Sequence, residues 1–226
     1  MTHRALIALA LVMTLFPTKG VQASEGWTVS LSASAWQTLK VPGVRENQFV
    51  LRGDALQVIS ESSASFRYVE IPRNVNAPSH VSWRWRVDAH SPLSSQATKG
   101  RDDRPLAIHV WFDTDGKASL LSSFASVMGR PKVGHLLTYV WGATEPAETV
   151  LTNPYYERGR VIIVVGQDGR KGQWHDVRRN IVADYQQAFG DVPDMSKLRY
   201  LAISADTDDL MGQSTGSVRA VTFHTR

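Results

Sequence analysis

The clearest pattern in the sequence is the strict alternation of apolar and polar residues over 81–88. Because successive side chains of a β-strand point to opposite faces, this segment predicts a strand with one apolar and one polar face. Trp83 and Trp85 lie on the apolar face and bring a large hydrophobic area to a core from one strand. Arg84 and Arg86 lie on the polar face. We therefore expect a fold built around a sheet that contains this strand.

Shorter segments of this kind recur along the chain and are separated by turn residues. Strands are predicted over 54–60, 64–71, 106–113, 135–142, 160–166, 174–179, 198–204 and 218–224. A helix is predicted over 181–189, where Asn180 suits the N-cap and Gly190 follows the last turn, and a second short helix over 118–128. Strands joined by turns and long loops indicate an antiparallel β-sandwich or jelly roll. We predict a mainly β, jelly-roll-like single domain with one or two short helices.

The first 23 residues have the pattern of a secretory signal peptide. A basic start at Thr2–Arg4 precedes an apolar segment at Ala5–Phe16, and the small residues Val21 and Ala23 precede the expected cleavage site. The apolar segment is shorter than the roughly 20 residues that a membrane span needs. We expect cleavage after Ala23, a mature domain over 24–226, and a periplasmic or secreted location.

Composition excludes several kinds of site. The chain has no cysteine, so disulfides, thiolate metal sites and lipid attachment through cysteine are impossible. The seven histidines show no zinc-binding spacing. The formal net charge is +4, and loss of Arg4 and Lys19 with the signal peptide lowers it to +2 (4 − 2). Without a run of basic residues, we expect no nucleic-acid partner.

One candidate binding surface follows from the strand patterns. If 81–88 and 106–113 pair as neighbours, Arg84, Arg86, His109 and Trp111 leave the same face of the sheet. An aromatic platform beside arginines can stack a sugar ring or hold an acidic group. The alternative is that this face is covered and the arginines form a structural ion network. Their expected partners in that network are Asp184, Asp206 and Asp208.

Aspartates in the loops form a second group of candidates. Asp103 lies in the long polar loop 91–104, and Asp206 and Asp208 follow a predicted strand. Neither 206–209 nor 113–116 has the spacing of an EF-hand, so we predict no metal ligand and no cofactor, and a structural Ca²⁺ ion remains the alternative. Two of the carboxylates would suit glycoside hydrolysis only at a separation of about 5 to 9.5 Å.

The segment 212–216 matches the pattern G-x-S-x-G. A nucleophile elbow needs a strand before this motif and a helix after it, whereas here a predicted strand follows. We therefore expect a flexible loop at 212–216 and no catalytic serine.

A series of short motifs resembles a known family. In chain order they are Trp83–Val87, Asp102–Asp103, Tyr139–Trp141, Asn153–Tyr155, Arg178–Asn180, Ala183–Tyr185 with Phe189–Gly190, and Asp206–Asp208. Over about residues 50–224 the chain resembles the bacterial family called domain of unknown function 3047. The resemblance implies an exported, one-domain bacterial protein and brings no activity or catalytic residue. The pair Arg104-Pro105 departs from the aromatic or apolar residue expected after the paired aspartates.

Three functional hypotheses follow. The first is a non-catalytic module that binds a carbohydrate or envelope glycan, or a small acidic ligand. The second is a periplasmic polysaccharide hydrolase with Asp103, Asp206 or Asp208 as acid or base. The third is a structural or partner-binding envelope protein. The predicted ligand-binding residues are Arg84, Arg86, Asp103, His109, Trp111, Asp206 and Asp208.

Overall fold

The computed structural model describes residues 26–32, 34–75, 77–113 and 133–225. In chain order, their strands are β1 (Gly26–Thr28), β2 (Gln37–Lys40), β3 (Gln48–Arg52), β4 (Ala55–Glu61), β5 (Ala64–Glu70), β6 (His80–His90), β7 (Arg104–Phe112), β8 (Leu136–Trp141), β9 (Val150–Thr152), β10 (Gly159–Val165), β11 (His175–Asn180), β12 (Leu198–Asp206) and β13 (Gln213–His224). The predicted signal peptide at 1–23 and the predicted helix at 118–128 lie outside the described residues, as does most of the segment 113–116.

The strands form two sheets. Sheet A has the order β11-β6-β13-β4-β3, and β1 also pairs with β13; sheet B has the order β2-β5-β12-β7-β8-β10-β9. The predicted mainly β sandwich is confirmed. Sheet B is mixed, because β8 and β10 pair in parallel. Two parallel neighbours need a connection that returns the chain to the same end of the sheet. Here the returning segment includes β9, which pairs antiparallel with β10.

The core lies between the two sheets. Trp83 and Trp85 of β6 are at most 1% exposed, which confirms the predicted core strand. From sheet B, Ile108 and Val110 of β7 pack into the same hydrophobic cluster. All nine residues of β7 are buried, so this strand is covered on both of its faces.

The predicted pairing of 81–88 with 106–113 is wrong. β6 belongs to sheet A and β7 to sheet B, where its neighbours are β12 and β8. The loop over 91–103 carries the chain from one sheet to the other, so two strands that follow each other in sequence face each other across the core. Arg84 and Arg86 therefore lie on the outer face of sheet A. His109 and Trp111 lie on the outer face of sheet B.

The predicted helix is present as α1 (Ile181–Phe189). The Asn180 side chain accepts a hydrogen bond of 3.1 Å from the backbone N–H of Ala183 and caps the first turn. Gly190 ends the helix in the left-handed conformation with φ of 82°. A single 3₁₀ turn at Met195–Lys197 leads into β12. Among the described residues, we find no helix with the length and apolar character needed to cross a bilayer.

Candidate functional site

A cleft of about 280 Å³ opens on the outer face of sheet B. Its lining combines aromatic and aliphatic side chains with a group of acids: Leu39, Val41, Val44, Ala64, Phe66, Asp102, Arg104, Trp111, Leu136, Asn153, Tyr155, Tyr156, Asp206, Asp208 and Asp209. Arg104 and Trp111 are seven residues apart on β7. At about 3.3 Å per residue, the lining therefore extends on the order of 20 Å along this strand.

A β-bulge brings Arg104 to this face. Along β12 and β7, Ser204 pairs with Ala107, but Asp206 pairs with Arg104, so β7 has one extra residue over this step. Strict alternation from Leu106 would point Arg104 into the core. The bulge re-aims the side chain towards Asp206, as bulges commonly do beside functional sites.

Aromatic rings cover the middle of the cleft face. The ring centroids of Phe66 and Trp111 are 6.0 Å apart, and those of Tyr68 and Trp111 are 5.7 Å apart. Tyr200 continues the row at 6.2 Å from Trp111. Trp111 is only 3% exposed, so Phe66, which is half-buried, is the more accessible of this pair of rings. The result is a fixed apolar surface made by three adjacent strands.

Two tyrosines close one side of the lining. The Asn153 side chain accepts hydrogen bonds from the backbone N–H groups of Tyr155 (2.9 Å) and Tyr156 (3.0 Å), which fixes the turn that carries both rings. The Tyr156 hydroxyl donates to the Gly134 carbonyl at 2.6 Å. The Tyr155 ring is 42% exposed, and its hydroxyl donates to Asp209 at 3.2 Å. Burial of the hydroxyl raises the pKa of Tyr155 to about 12, so it remains a donor at neutral pH.

Arg104 is the centre of a buried ion triad. Its guanidinium donates to Asp102 Oδ2 at 3.1 Å and to Asp206 Oδ2 at 2.9 Å. Arg104 is 6% exposed and Asp102 is 2% exposed, so the triad joins the loop before β7 to the end of β12 with little solvent screening. Among the described residues, no group donates a hydrogen bond to the buried Oδ1 of Asp102.

The three aspartates predicted as site residues lie close together. One carboxylate oxygen of Asp103, of Asp206 and of Asp208 lies within 4.8 Å of the other two. Asp103 also accepts hydrogen bonds from the backbone N–H groups of Asp209 (3.1 Å) and Leu210 (3.2 Å). Asp103 therefore fixes the turn that presents Asp208 and Asp209.

Burial dominates the titration of these acids. It raises the pKa of Asp103 to about 6, against the two backbone hydrogen bonds that lower it. Burial likewise raises the pKa of Asp102 and, well above its usual range, that of Asp206, in both cases against the charge of Arg104. The single positive charge of Arg104 does not balance the negative charges that these three buried aspartates would carry if all were ionised.

His109 does not line the cleft, although it was predicted with Trp111. Its Nδ1 lies 3.0 Å from Thr138 Oγ1 and its Nε2 lies 2.8 Å from Ser204 Oγ. Burial, with the charge of Arg104, holds the pKa of His109 well below its usual range. The side chain is a neutral imidazole between two strands, and a contact with a ligand stays a prediction.

Arg84 and Arg86 lie on the opposite side of the molecule from the cleft. The predicted partners Asp184, Asp206 and Asp208 are wrong. Arg84 Nε lies 2.6 Å from Asp176 Oδ1, and Arg86 Nε lies 2.8 Å from Asp88 Oδ1, in partly exposed pairs. Since β6 and β7 are in different sheets, the predicted surface that combines these arginines with Trp111 does not exist.

The segment 213–216 belongs to β13, so the predicted loop is also wrong. The Ser214 hydroxyl is buried and donates to the Pro105 carbonyl at 3.0 Å. It therefore ties β13 to the start of β7.

Sequence reasoning missed Arg104, Phe66, Tyr155 and Tyr156 as site residues. The signals were present but incomplete: Arg104 is a charged residue at the start of an apolar strand, and the Asn-Pro-Tyr-Tyr turn places two adjacent aromatics in a loop. Only the pairing of β5, β12 and β7 shows that these segments meet.

Solved structures similar to this chain include the family 11 carbohydrate-binding module from Clostridium thermocellum in complex with a β-1,3-1,4-mixed-linked tetrasaccharide, with 7% identity, a TM-score of 0.48, and coverage of 89% of this chain and 97% of that chain. The xyloglucanase domain of NopAA from Sinorhizobium fredii has 11% identity, a TM-score of 0.44, and coverage of 89% and 100%. Endoglucanase 3 from Trichoderma harzianum has 9% identity, a TM-score of 0.42, and coverage of 88% and 94%.

No curated protein sequence matches the chain. A family model described as "Protein of unknown function (DUF3047)" matches residues 34–222. This range includes both sheets almost completely and every residue that lines the cleft, and it confirms the family resemblance of the motifs. The chain therefore belongs to the family described as Protein of unknown function (DUF3047).

Proposed function

We propose that this protein is an exported glycan-binding module whose binding site is the cleft on sheet B. One observation carries the proposal: aromatic rings and hydrogen-bonding carboxylates line the same elongated groove. A pyranose ring has an apolar C–H face that packs on an aromatic ring and hydroxyl groups at its edge that need acceptors and donors. Sites of this mixed composition, with a few fixed polar groups, are typical of small-molecule binding.

The polar groups of the cleft suit hydroxyl ligands. A buried acceptor without a donor is costly, and Asp102 Oδ1 is such an acceptor on the cleft lining. A sugar hydroxyl donating to it would remove that cost. The Tyr155 hydroxyl donates its single proton to Asp209 and orients that carboxylate as a further acceptor near the same acids.

The charge of the cleft bears on the kind of glycan. Four aspartates line it, and the guanidinium of Arg104 is already shared between Asp102 and Asp206. Like charges brought together without compensation oppose binding. The cleft therefore favours a neutral or cationic glycan over the small acidic ligand that the sequence left open.

The test uses the protein with three single substitutions and a panel of neutral, cationic and acidic soluble polysaccharides. Tyr155→Ala and Phe66→Ala should weaken binding about tenfold, which is about 1.4 kcal/mol. Trp174→Ala is the matched control, because Trp174 is also partly exposed but lies beside Arg219 and Arg86 on sheet A. Affinity electrophoresis or calorimetry gives the affinities, and melting curves verify folding.

Absence of binding across the whole panel would overturn the proposal. So would a loss of binding with Trp174→Ala when Tyr155→Ala binds normally. In either case the third hypothesis, a protein that binds an envelope partner, would become the leading one. A stoichiometric partner isolated from the periplasm would support it.

Hydrolysis is a second candidate function, favoured by the raised pKa of Asp102 and Asp206 at the cleft. A carboxyl group that stays protonated at higher pH than usual can serve as a general acid. One oxygen of Asp206 and one of Asp208 lie within 4.8 Å of each other, which is closer than the separation of about 5 to 5.5 Å between the two carboxyl groups of retaining glycosidases. Release of reducing ends from a bound polysaccharide, abolished by Asp206→Asn, would establish this activity. Binding without such release would reject it.

A further inference from the structure

A second cavity of about 250 Å³ adjoins the cleft, at the end of the sandwich where β6 and β12 end and β7 and β13 begin. Arg104 and Asp206 line both spaces. Beyond these two residues the turn over 207–212 separates them: residues 208–209 line the cleft, whereas residues 210–211 line the second cavity. The turn is therefore a ridge between two compartments.

Hydrogen bonds fix this ridge in place. The backbone N–H of Thr207 donates to the Ser63 carbonyl at 3.0 Å, and the Thr207 carbonyl accepts a bond of 2.9 Å from the N–H of Gly212. The Thr207 hydroxyl lies 2.7 Å from that of Ser60. Asp103 accepts two more backbone bonds from the same turn. Because the ridge is held so firmly, little conformational entropy is lost when a ligand packs on it.

The tip of the ridge is apolar and exposed. Leu210 is 42% exposed and its neighbour Met211 is 75% exposed. Met211 also has a φ of 54°, in the left-handed region that glycine adopts without strain and methionine does not. Strained residues of this kind are found preferentially at functional sites, including ligand-binding segments. Glycine would suit the turn better, so the methionine side chain indicates a contact outside the turn.

The second cavity has the mixed lining that a sugar unit requires. Leu93 and Met211 provide apolar surface, and His90 and Gln213 provide polar groups. His90 Nδ1 donates to the Ser91 carbonyl at 2.6 Å, so Nε2 of the neutral ring is an acceptor. A C–H face of a sugar can therefore pack on the apolar side while its hydroxyl groups bond to the polar side.

We propose that the glycan in the cleft continues over the ridge at 207–212 into the second cavity. The protein then binds a segment of a polysaccharide and not a mono- or disaccharide. This inference rests on the proposed function of the cleft. It adds a second compartment, formed by the loop after β6 and the start of β13, and a contact of the sugar chain with Met211.

The test compares a disaccharide with a hexasaccharide, each prepared from every member of the glycan panel that the protein binds; the panel includes β-1,4-linked glucan and β-1,4-linked glucosamine polymer. Contacts in two compartments add to the affinity of one chain, so the hexasaccharide should bind about tenfold more tightly or better. Met211→Gly removes the side chain where glycine accepts the backbone, so the fold is retained. It should weaken the hexasaccharide about fivefold and leave the disaccharide unchanged.

Val192→Ala is the control, because Val192 is also an exposed apolar residue, at 72%, but lies in the loop after α1. It should change neither affinity. In protein labelled at the methionine methyl groups, the hexasaccharide should shift the NMR signal of Met211 and not that of Met195, which lies in the 3₁₀ turn before β12.

Three outcomes would overturn the second compartment alone: equal binding of the two lengths, an equal effect of Met211→Gly on both, or no effect of Met211→Gly on either. A protein that binds no member of the panel would reject the proposed function, and this extension with it. The two failures are therefore distinguishable.

Discussion

Arg104 holds together the acidic end of the cleft, where it pairs with Asp102 and Asp206. It holds Asp102 and Asp206 in a nearly dry environment, and removing one member of such a group leaves buried charge without a partner. We expect Arg104→Met to lower the free energy of unfolding by about 3 to 5 kcal/mol. Urea denaturation would measure the loss.

Arg84→Met is the matched comparison for this prediction. Within the described part of the chain Arg84 pairs with Asp176 alone, and its side chain is 38% exposed, so the expected loss is at most about 1 kcal/mol. Adding Asp206→Asn to Arg104→Met should restore part of the stability, because it removes one uncompensated carboxylate. Equal losses from Arg104→Met and Arg84→Met would contradict the assignment of Arg104 as a structural centre.

The alternation of apolar and polar residues predicts which side chains are buried. It does not predict on which face of the sandwich a polar side chain lies. Trp83 and Trp85 are buried as their spacing predicts. Arg104 is not predictable in this way, because a bulge in β7 reverses its direction. Bulges depend on the register of two strands that are far apart in sequence, and alternation within one strand carries no information about that register.

At the scale of elements, α1 is the part most directly determined by local sequence. Its cap is one side-chain hydrogen bond from Asn180 to the backbone of Ala183. Asn180→Ala should destabilise the protein by about 1 kcal/mol, whereas Asn180→Asp should be close to neutral. The exposed helix residue Gln187 serves as a control, since Gln187→Ala should change stability by less than about 0.5 kcal/mol. Thermal melts with an Asn180→Ala loss no larger than the control would contradict the capping role.

The local strand patterns identify most of the longer strands but not their partners. Caps and turns act over a few residues, so α1 and the strand over 161–165 are predictable. The choice of β12 rather than β6 as the neighbour of β7 is decided by packing of the whole sandwich. The aspartates of the site could be picked out from the sequence because they lie in polar loops and at strand ends. Their proximity to Phe66 and Tyr155 could not be predicted, because it depends on which strands pair. The short strands β1, β2, β3 and β9 lacked a clear alternating pattern.

For the whole molecule, His109 links stability to pH. Its folded-state pKa lies well below the ordinary value because of burial and then Arg104. Below about pH 6.5 the unfolded chain binds a proton at this position and the folded protein does not, so stability falls as pH falls, by up to about 1.4 kcal/mol per pH unit. His109→Gln should flatten this dependence between about pH 5 and 6.5.

The comparison must be made between the two proteins at each pH. The raised pKa of Asp103 acts in the opposite direction, because the folded state then holds the extra proton as pH falls from about 6 towards 4. This contribution is common to both proteins and cancels in the difference. Parallel curves of stability against pH for His109→Gln and the unmodified protein would mean that His109 binds a proton equally well in the folded and unfolded states. They would contradict the lowered pKa of His109.

The position of β13 has a consequence for the order of folding. It forms the centre of sheet A, between β6 and β4, and β1 pairs with its distal end. Its neighbours end at residues 61 and 90, whereas β13 begins at 213. Pairing between strands so far apart in sequence is slow, so one edge of β4 and one edge of β6 stay unpaired until the last strand forms. A polypeptide synthesised from its N-terminus therefore completes sheet A only after its last strand has been made.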